Sequence, residues 1–239
     1  MNEKKPTVVL VHGAFAESAS WNGVIERLQA EAVTSVAVAN PLRSIPGDAA
    51  YLRDVLAGIS TPVILVGHSY GGMVITEAAA GSNQVAALVY VCAFAPEPGE
   101  SAFDLSGKFP GSSLGQALNA YPLSTGGTEF AIRPDAFHHQ FAADVPAAQA
   151  ALMSSTQRPV TQIALTAGLP TETPAWKVIP SWFVFSDQDL NIPVALHRFM
   201  ADRAGAKDVR EITGGSHALS VSHPEAVTAS ILEAVNAVN

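Results

Sequence analysis

Cysteine occurs once, at Cys92, so the chain has no partner for an intramolecular disulfide and no multi-cysteine zinc site. Charge is sparse as well. Charged residues make up 14% of the 239, and the 13 Lys and Arg are outnumbered by 21 Asp and Glu, for a net charge of −8. Such a surface repels phosphate backbones, which argues against a general nucleic-acid or anionic-membrane binder. Long apolar runs are missing too: the longest, Val85–Ala95, falls well short of the ~20 residues that span a bilayer. The charged start MNEKK resembles the opening of a secretory leader, but the apolar run Thr7–Val11 ends at His12, too soon for a leader's apolar region. These absences lead to the expectation of a cytoplasmic protein without a membrane span. Apolar residues are plentiful, at 48% of the chain. A chain of this length buries roughly 70% of its unfolded surface, so its core needs neither disulfide nor metal.

Short β-branched runs bounded by Gly, Pro or Asp alternate with amphipathic stretches. Strands are expected at Thr7–Val11, Val33–Ala39, Pro62–Val66 and Ala86–Phe94, with helices at Trp21–Ala30, Gly47–Gly58 and Tyr70–Ala80 between them. The strands are apolar almost throughout rather than alternating, as in a parallel sheet covered on both faces. After Phe94 the rhythm breaks. Residues 95–176 are rich in Pro, Gly, Ser and Ala, with no clear strand and with helical pieces around Pro134–Phe141, Pro146–Ser155 and Val160–Ala167. The alternation resumes with strands Ser181–Phe185 and Val209–Ile212 and helices Pro193–Ala204 and Pro224–Val235. The expected architecture is a doubly wound α/β fold with a mainly parallel, six-stranded sheet flanked by helices. Its core would be residues 1–94 and 177–239. Residues 95–176 form an inserted, mostly helical cap or lid, because a structureless loop of that length would be improbable. Cys92 reads as a small buried hydrophobe in its strand.

The strongest chemical signal is Gly67-His68-Ser69-Tyr70-Gly71-Gly72, which follows the strand VILV and precedes the helical run MVITEAAA. A G-x-S-x-G pattern in that strand-turn-helix setting exposes a serine on a sharp, strained turn, and glycine at 67 and 71 removes side chains that would collide there. The turn also places the hydroxyl at a helix N-terminus, which favours developing negative charge. A nucleotide-binding loop would need G-x-G-x-x-G or a following Gly-Lys-Ser/Thr, and neither occurs here.

A serine nucleophile needs a base. Of seven histidines, His12 and His68 lie within the Gly motifs and read as loop-orienting residues. The adjacent His138 and His139 cannot easily face one site, and His197 reads as a surface or partly buried helix residue. His217, in Gly214-Gly215-Ser216-His217, falls in the loop between the last strand and the last helix. That loop opens at the carboxyl edge of the sheet, where open α/β sheets place ligands. His223, next to Pro224, reads as part of a helix start. The orienting carboxylate is Asp187 or Asp189, both at the end of the resumed strand, and spacing alone does not choose between them.

Taken together, His12-Gly13-Ala14-Phe15 with Trp21, GHSYGG at 67–72, DLNIP at 189–193 and GGSHALSVSHP at 214–224 resemble the α/β-hydrolases. Within them, the chain is similar to the small cofactor-free esterases related to plant methyl-ester esterases and hydroxynitrile lyases. The order Ser, Asp, His fits that superfamily. The resemblance implies Ser69 as nucleophile, His217 as base and acid, and Asp189, four residues before a proline, as the orienting acid. It implies backbone N–H groups of Ala14 and Tyr70 as oxyanion hole, and no metal or other cofactor. Phe15, Phe103, Phe137 and Trp176 are candidate pocket residues. The lyases carry a lysine after the histidine and a threonine in the His-Gly loop, where this chain has Ala218 and Gly13. The activity implied is hydrolysis of a small-molecule carboxylic ester through an acyl-enzyme, in a monomer or a homodimer. A C–C hydrolase, lactonase, perhydrolase or lyase on the same residues is the alternative, and a non-catalytic ligand sensor a more distant one.

Overall fold

The structure, a computed structural model, describes residues 5–238; most of the charged leader-like start lies outside them. Six strands form one parallel sheet: β1 (Thr7–Val11), β2 (Ser35–Val38), β3 (Val63–His68), β4 (Val85–Val91), and, after a long interval, β8 (Ser181–Ser186) and β9 (Asp208–Ile212). Their order is β2-β1-β3-β4-β8-β9. The chain winds outward from β1 in both directions, so the loops after β1 and β3 emerge side by side. Strands β1, β3 and β8 are buried at every residue, which is why their sequences carry no polar alternation.

Helix α1 (Asn22–Ala30) packs against α11 (Pro224–Ala237), and α2 (Ile45–Ala57) against α3 (Gly71–Ala78). Helix α2 starts two residues before the expected Gly47. Ser44 caps it by accepting from Gly47 N–H at 3.2 Å, and a proline follows in the first turn, where its missing N–H costs nothing. Strand β4 stops at Val91, three residues short of the expected Phe94. Cys92 takes φ 42° and turns the chain off the sheet. Its thiol is buried as expected, one residue beyond the strand.

Between β4 and β8 the three expected helices are present as α6 (Pro134–Phe141), α7 (Ala147–Thr156) and α8 (Gln162–Thr166), and two short ones that were not expected precede them, α4 (Ala102–Ser106) and α5 (Leu114–Ala117). The expectation that this segment lacks strands is wrong. β5 (Leu118–Pro122), β6 (Thr128–Ile132) and β7 (Val160–Thr161) make a small antiparallel sheet. Its strands hold polar residues and a proline and are only half-buried, so they carry little β signal. The sign that was present is Gly126-Gly127, both at positive φ, closing the β5–β6 turn. Two helices complete the fold, α9 (Val194–Ala204) and the short α10 (Leu219–Ser222), the latter missed because it is a single turn. No helix of the described residues is long and apolar enough to cross a membrane.

The chain passes close to itself where α3 meets β1 and the segment after β4. A Cβ on Gly71 would lie 2.4 Å from the Val11 carbonyl oxygen, and one on Gly72 2.2 Å from that of Phe94. Backbone, unlike a side-chain tip, cannot step aside. Gly72→Ala is therefore expected to destabilise the protein by about 1–3 kcal/mol through overpacking. Thermal unfolding should show a midpoint lower by roughly 4–8 °C for about 2 kcal/mol, whereas an unchanged midpoint would mean that the contact yields.

Candidate active site

The loops after β1, β3, β8 and β9 all leave the carboxyl edge of the sheet, and each delivers at least one predicted residue. After β3, Ser69 adopts φ 54°. This is a strained conformation for a non-glycine residue, held because the Ser69 N–H donates to Val91 O and its carbonyl accepts from Gly72 and Phe94. A Cβ on Gly67 would lie 2.7 Å from the Gly71 oxygen, the collision expected of any side chain in that place. Ser69 is 7% exposed.

After β8 the two aspartates part company. Asp187 accepts from Gly214 N–H at 2.7 Å, a loop-to-loop tie. Asp189 faces inward and accepts through Oδ2 from His217 Nδ1 at 2.7 Å. Its Oδ1 accepts from the N–H groups of Asn191 and Ile192 at 2.8 and 2.9 Å. Burial alone would raise the Asp189 carboxyl, but the His217 and His197 donors overcome it and hold the group well below the usual carboxylate range. Since ionised Asp189 can only accept, Nδ1 of His217 carries a proton, and in the neutral ring Nε2 is the bare nitrogen. None of the hydrogen bonds of the described residues joins either ring nitrogen of His217 to Ser69.

His12 and His68 do orient loops. Nε2 of His12 accepts from Asn40 N–H at 3.0 Å, so its proton sits on Nδ1 and donates to Gly13 O at 2.9 Å. His68 Nε2 donates to His217 O at 3.0 Å, and the two rings lie 4.7 Å apart. Phe141 packs edge-on against His217 at 5.0 Å and also against His68 at 6.1 Å. Burial pulls His12 down to about 4 and His68 down to about 3, so both rings are neutral at pH 7. His138 bonds Val145 O away from the site, and His223 pairs with Asp144 and Glu225.

In the loop after β1, Phe15 takes φ 61° and its N–H donates to Arg158 O at 3.0 Å. Ala14 and Tyr70 are buried, yet among the described residues neither N–H donates to a protein acceptor. A Cβ on Gly13 would lie 2.6 Å from Ser69 Cβ and 2.7 Å from the His68 oxygen, so this backbone has no room for a side chain there. The Tyr70 hydroxyl donates to Asp48 Oδ2 at 2.9 Å, and Arg43 N–H donates to Asp48 Oδ1 at 3.0 Å. Arg43 in turn pairs with Glu129 on β6. Sequence reasoning missed Asp48, because nothing in a helix's first turn reveals a partner across the fold.

A cavity of about 570 Å³ opens onto Ala14, Ser69 and Tyr70 and is bounded by residues of 100–118 together with Phe15, Phe94 and Leu165. Of the four candidate pocket residues, Phe15 and Phe103 line it. Phe137 and Trp176 do not: Phe137 stacks on Phe141 in the core, and Trp176 donates from Nε1 to Pro96 O at 2.8 Å. Both were chosen for apolar bulk, which core packing and pocket lining share.

His197 corrects a further expectation. It is fully buried rather than at the surface or partly buried, with Nε2 3.2 Å from Asp189 Oδ2. Cys92, Asp189 and His197 offer atoms within 4.8 Å of one another, but their chemistry does not suit a cation. The Ser186 hydroxyl is spent on Ser216 O, so Cys92 must donate its S–H to Ser186, and burial pushes that thiol well up. The Asp189 oxygens are occupied by four N–H donors.

Residues 8–230 match the model of the alpha/beta hydrolase family. The chain belongs to that family. It is 29% identical over 252 residues to an alpha/beta hydrolase, nvfD, of Aspergillus novofumigatus, covering 96% of each chain. The structure of polyneuridine aldehyde esterase superimposes with a TM-score of 0.82 at 21% identity, over 96% of this chain and 99% of that one. A pyrethroid hydrolase from Sphingobium faniae gives 0.75 at 22%, over 97% and 98%. These two likenesses speak for the hydrolase fold.

The neutral histidines fix how stability depends on pH. His12 and His68 bind protons near pH 6.5 when unfolded, and only near 4 and 3 when folded. The unfolded state therefore takes up protons first as pH falls. The stability they contribute is complete above pH 6.5 and drains between there and about pH 4 for His12 and about pH 3 for His68, by up to ~1.4 kcal/mol per pH unit for each. Melting temperatures should fall across that window and fall less steeply in His12→Asn. A flat profile from pH 7 to 4.5 would contradict neutral burial.

Proposed function

We propose that this alpha/beta hydrolase is a serine carboxylic-ester hydrolase working through an acyl-enzyme. The observation that carries the reading is the buried 2.7 Å His217–Asp189 hydrogen bond, at the same sheet edge as the strained Ser69. Ser69 Oγ attacks the ester carbonyl as His217 Nε2 takes its proton; Asp189 holds the ring in the Nδ1–H tautomer and stabilises the imidazolium. The unengaged N–H groups of Ala14 and Tyr70 receive the oxyanion, a contribution of about 10²–10³ in rate for each donor of this kind. His217 then protonates the leaving alcohol and activates water for deacylation. The contact between Ser69 and His217 closes in the substrate complex, as catalytic hydrogen bonds do that are long in free enzymes.

Residues 95–176 serve as the cap. Support comes from their share of the cavity wall and their grip on the site loops: Gln140 donates to Leu190 O, Ser216 to Asp144, and Phe15 N–H to Arg158 O. The wall is mainly apolar, and of its two acidic members Glu100 is held by Arg203 at 2.5 Å and Asp104 accepts from the Ser101 hydroxyl at 2.6 Å. An uncharged ester with an apolar acyl or alcohol part suits it. Among related proteins, a carbendazim hydrolyzing esterase of Nocardioides is 52% identical over 56 residues, 21% of this chain, in keeping with ester hydrolysis. The low cysteine content is compatible with a cytoplasmic location. Gly13 leaves no room for the threonine of the lyases, which weighs against cyanohydrin cleavage.

Hydrolysis of a p-nitrophenyl ester series should fall on the order of 10⁶-fold in Ser69→Ala, down to the limit set by background turnover. Cyanohydrins should remain uncleaved by the wild type. Equal ester turnover by wild type and variant would remove Ser69 as the nucleophile.

A further inference from the structure

His197 lies on α9, outside every motif that pointed to the site, and is completely buried. Its ring lies flat on Phe185, with centroids 4.9 Å apart and planes 9° from parallel. Nε2 is 3.2 Å from Asp189 Oδ2, the oxygen that His217 Nδ1 also reaches. Because ionised Asp189 only accepts, the His197 proton sits on Nε2. Nδ1 is left bare, buried without a partner among the described residues. The titratable groups around the ring are Asp189 after β8, His217 after β9, Cys92 after β4 and Glu211 on β9. Burial pulls His197 below the ordinary histidine range despite the carboxylates, so the ring is a neutral, single donor. A phenyl ring would stack on Phe185 equally well without burying an unpaired nitrogen. The polar choice at a core position thus points to what Nε2 does for Asp189.

We infer that His197 is a positioning residue: it shares Asp189 Oδ2 with His217, adds to the hold that the Asn191 and Ile192 N–H groups have on the carboxylate, and limits how tightly that carboxylate holds the His217 imidazolium. The inference rests on the hydrolase reading. Without the second donor, Oδ1 stays held by the Asn191 and Ile192 N–H groups, but Oδ2 is no longer shared and serves His217 alone. The imidazolium is then held more strongly and gives its proton up less readily. In His197→Phe, kcat should drop by about tenfold, the scale seen for partners that orient functional groups from behind. KM should stay constant, because His197 is not part of the cavity wall. The acid limb of the kcat/KM profile should move to higher pH. His197→Gln, whose amide supplies an N–H of similar reach, should recover most of both properties.

The test measures kcat, KM and pH profiles of wild type, H197F and H197Q on one p-nitrophenyl ester, together with 15N-histidine NMR of the wild type. A fall in kcat and a moved acid limb in H197F, rescued by H197Q, with a neutral Nε2–H His197 in the NMR, is the expected result. Wild-type kcat and limb in H197F, or a His197 protonated on Nδ1 or on both nitrogens at pH 7, would overturn the assignment alone. If H197F fails to fold, the NMR tautomer and the H197Q profile decide by the same criteria. A wild type that neither turns over esters nor takes a phosphonate label on Ser69 would overturn the hydrolase reading, and this inference with it.

Discussion

One buried carboxylate organises the edge of this sheet. Asp189 sits where a lone ionised group would be prohibitively expensive, and four N–H donors make its burial tolerable. Those donors come from its own turn, from α9 and from the loop after β9, so satisfying the charge also fixes where these elements meet. The tautomer of His217 follows from it, since an oxygen that can only accept dictates which ring nitrogen holds the proton. Remove the charge and neither the position of the imidazole nor its bare Nε2 is defined.

The second constraint is steric. Ser69 holds a conformation that its side chain disfavours, because glycines at 13, 67, 71 and 72 let four backbone segments meet where no Cβ fits. The two constraints are joined through histidines that stay neutral: His68 donates to the carbonyl of His217, and His12 ties Gly13 to Asn40. A further polar chain runs from Tyr70 through Asp48 and Arg43 to Glu129 and the Tyr121 hydroxyl on β5. Through it the elbow is bonded to the small antiparallel sheet that borders the cavity side of the molecule.

The parallel sheet was legible because β1, β3 and β8 are buried throughout, and continuous apolar runs between Gly and Pro have few other uses. The Gly-Ser-Gly elbow was legible for its steric economy, and the Ser, Asp, His order came from a family resemblance. Choosing Asp189 over Asp187 also needed that resemblance, since two aspartates in one turn are equivalent until the fold aims them. His197 was invisible: a histidine in an amphipathic helix does not reveal which side faces a carboxylate eight residues earlier. The β5–β6 hairpin was hidden by its exposure, which removes the apolar alternation that reading relies on. Phe137 and Trp176 show the complementary failure, aromatic bulk that fills the core rather than a pocket.

The central claim, that Ser69 forms a covalent acyl intermediate while His217 and Asp189 act on it, is tested most directly by trapping. The protein would be incubated with a carbamate or activated phosphonate, digested, and its peptides mapped by mass spectrometry. One adduct per chain on the peptide containing Ser69, with loss of ester turnover in proportion to labelling, is the predicted result. An adduct on another residue, or full turnover by fully labelled protein, would contradict the account.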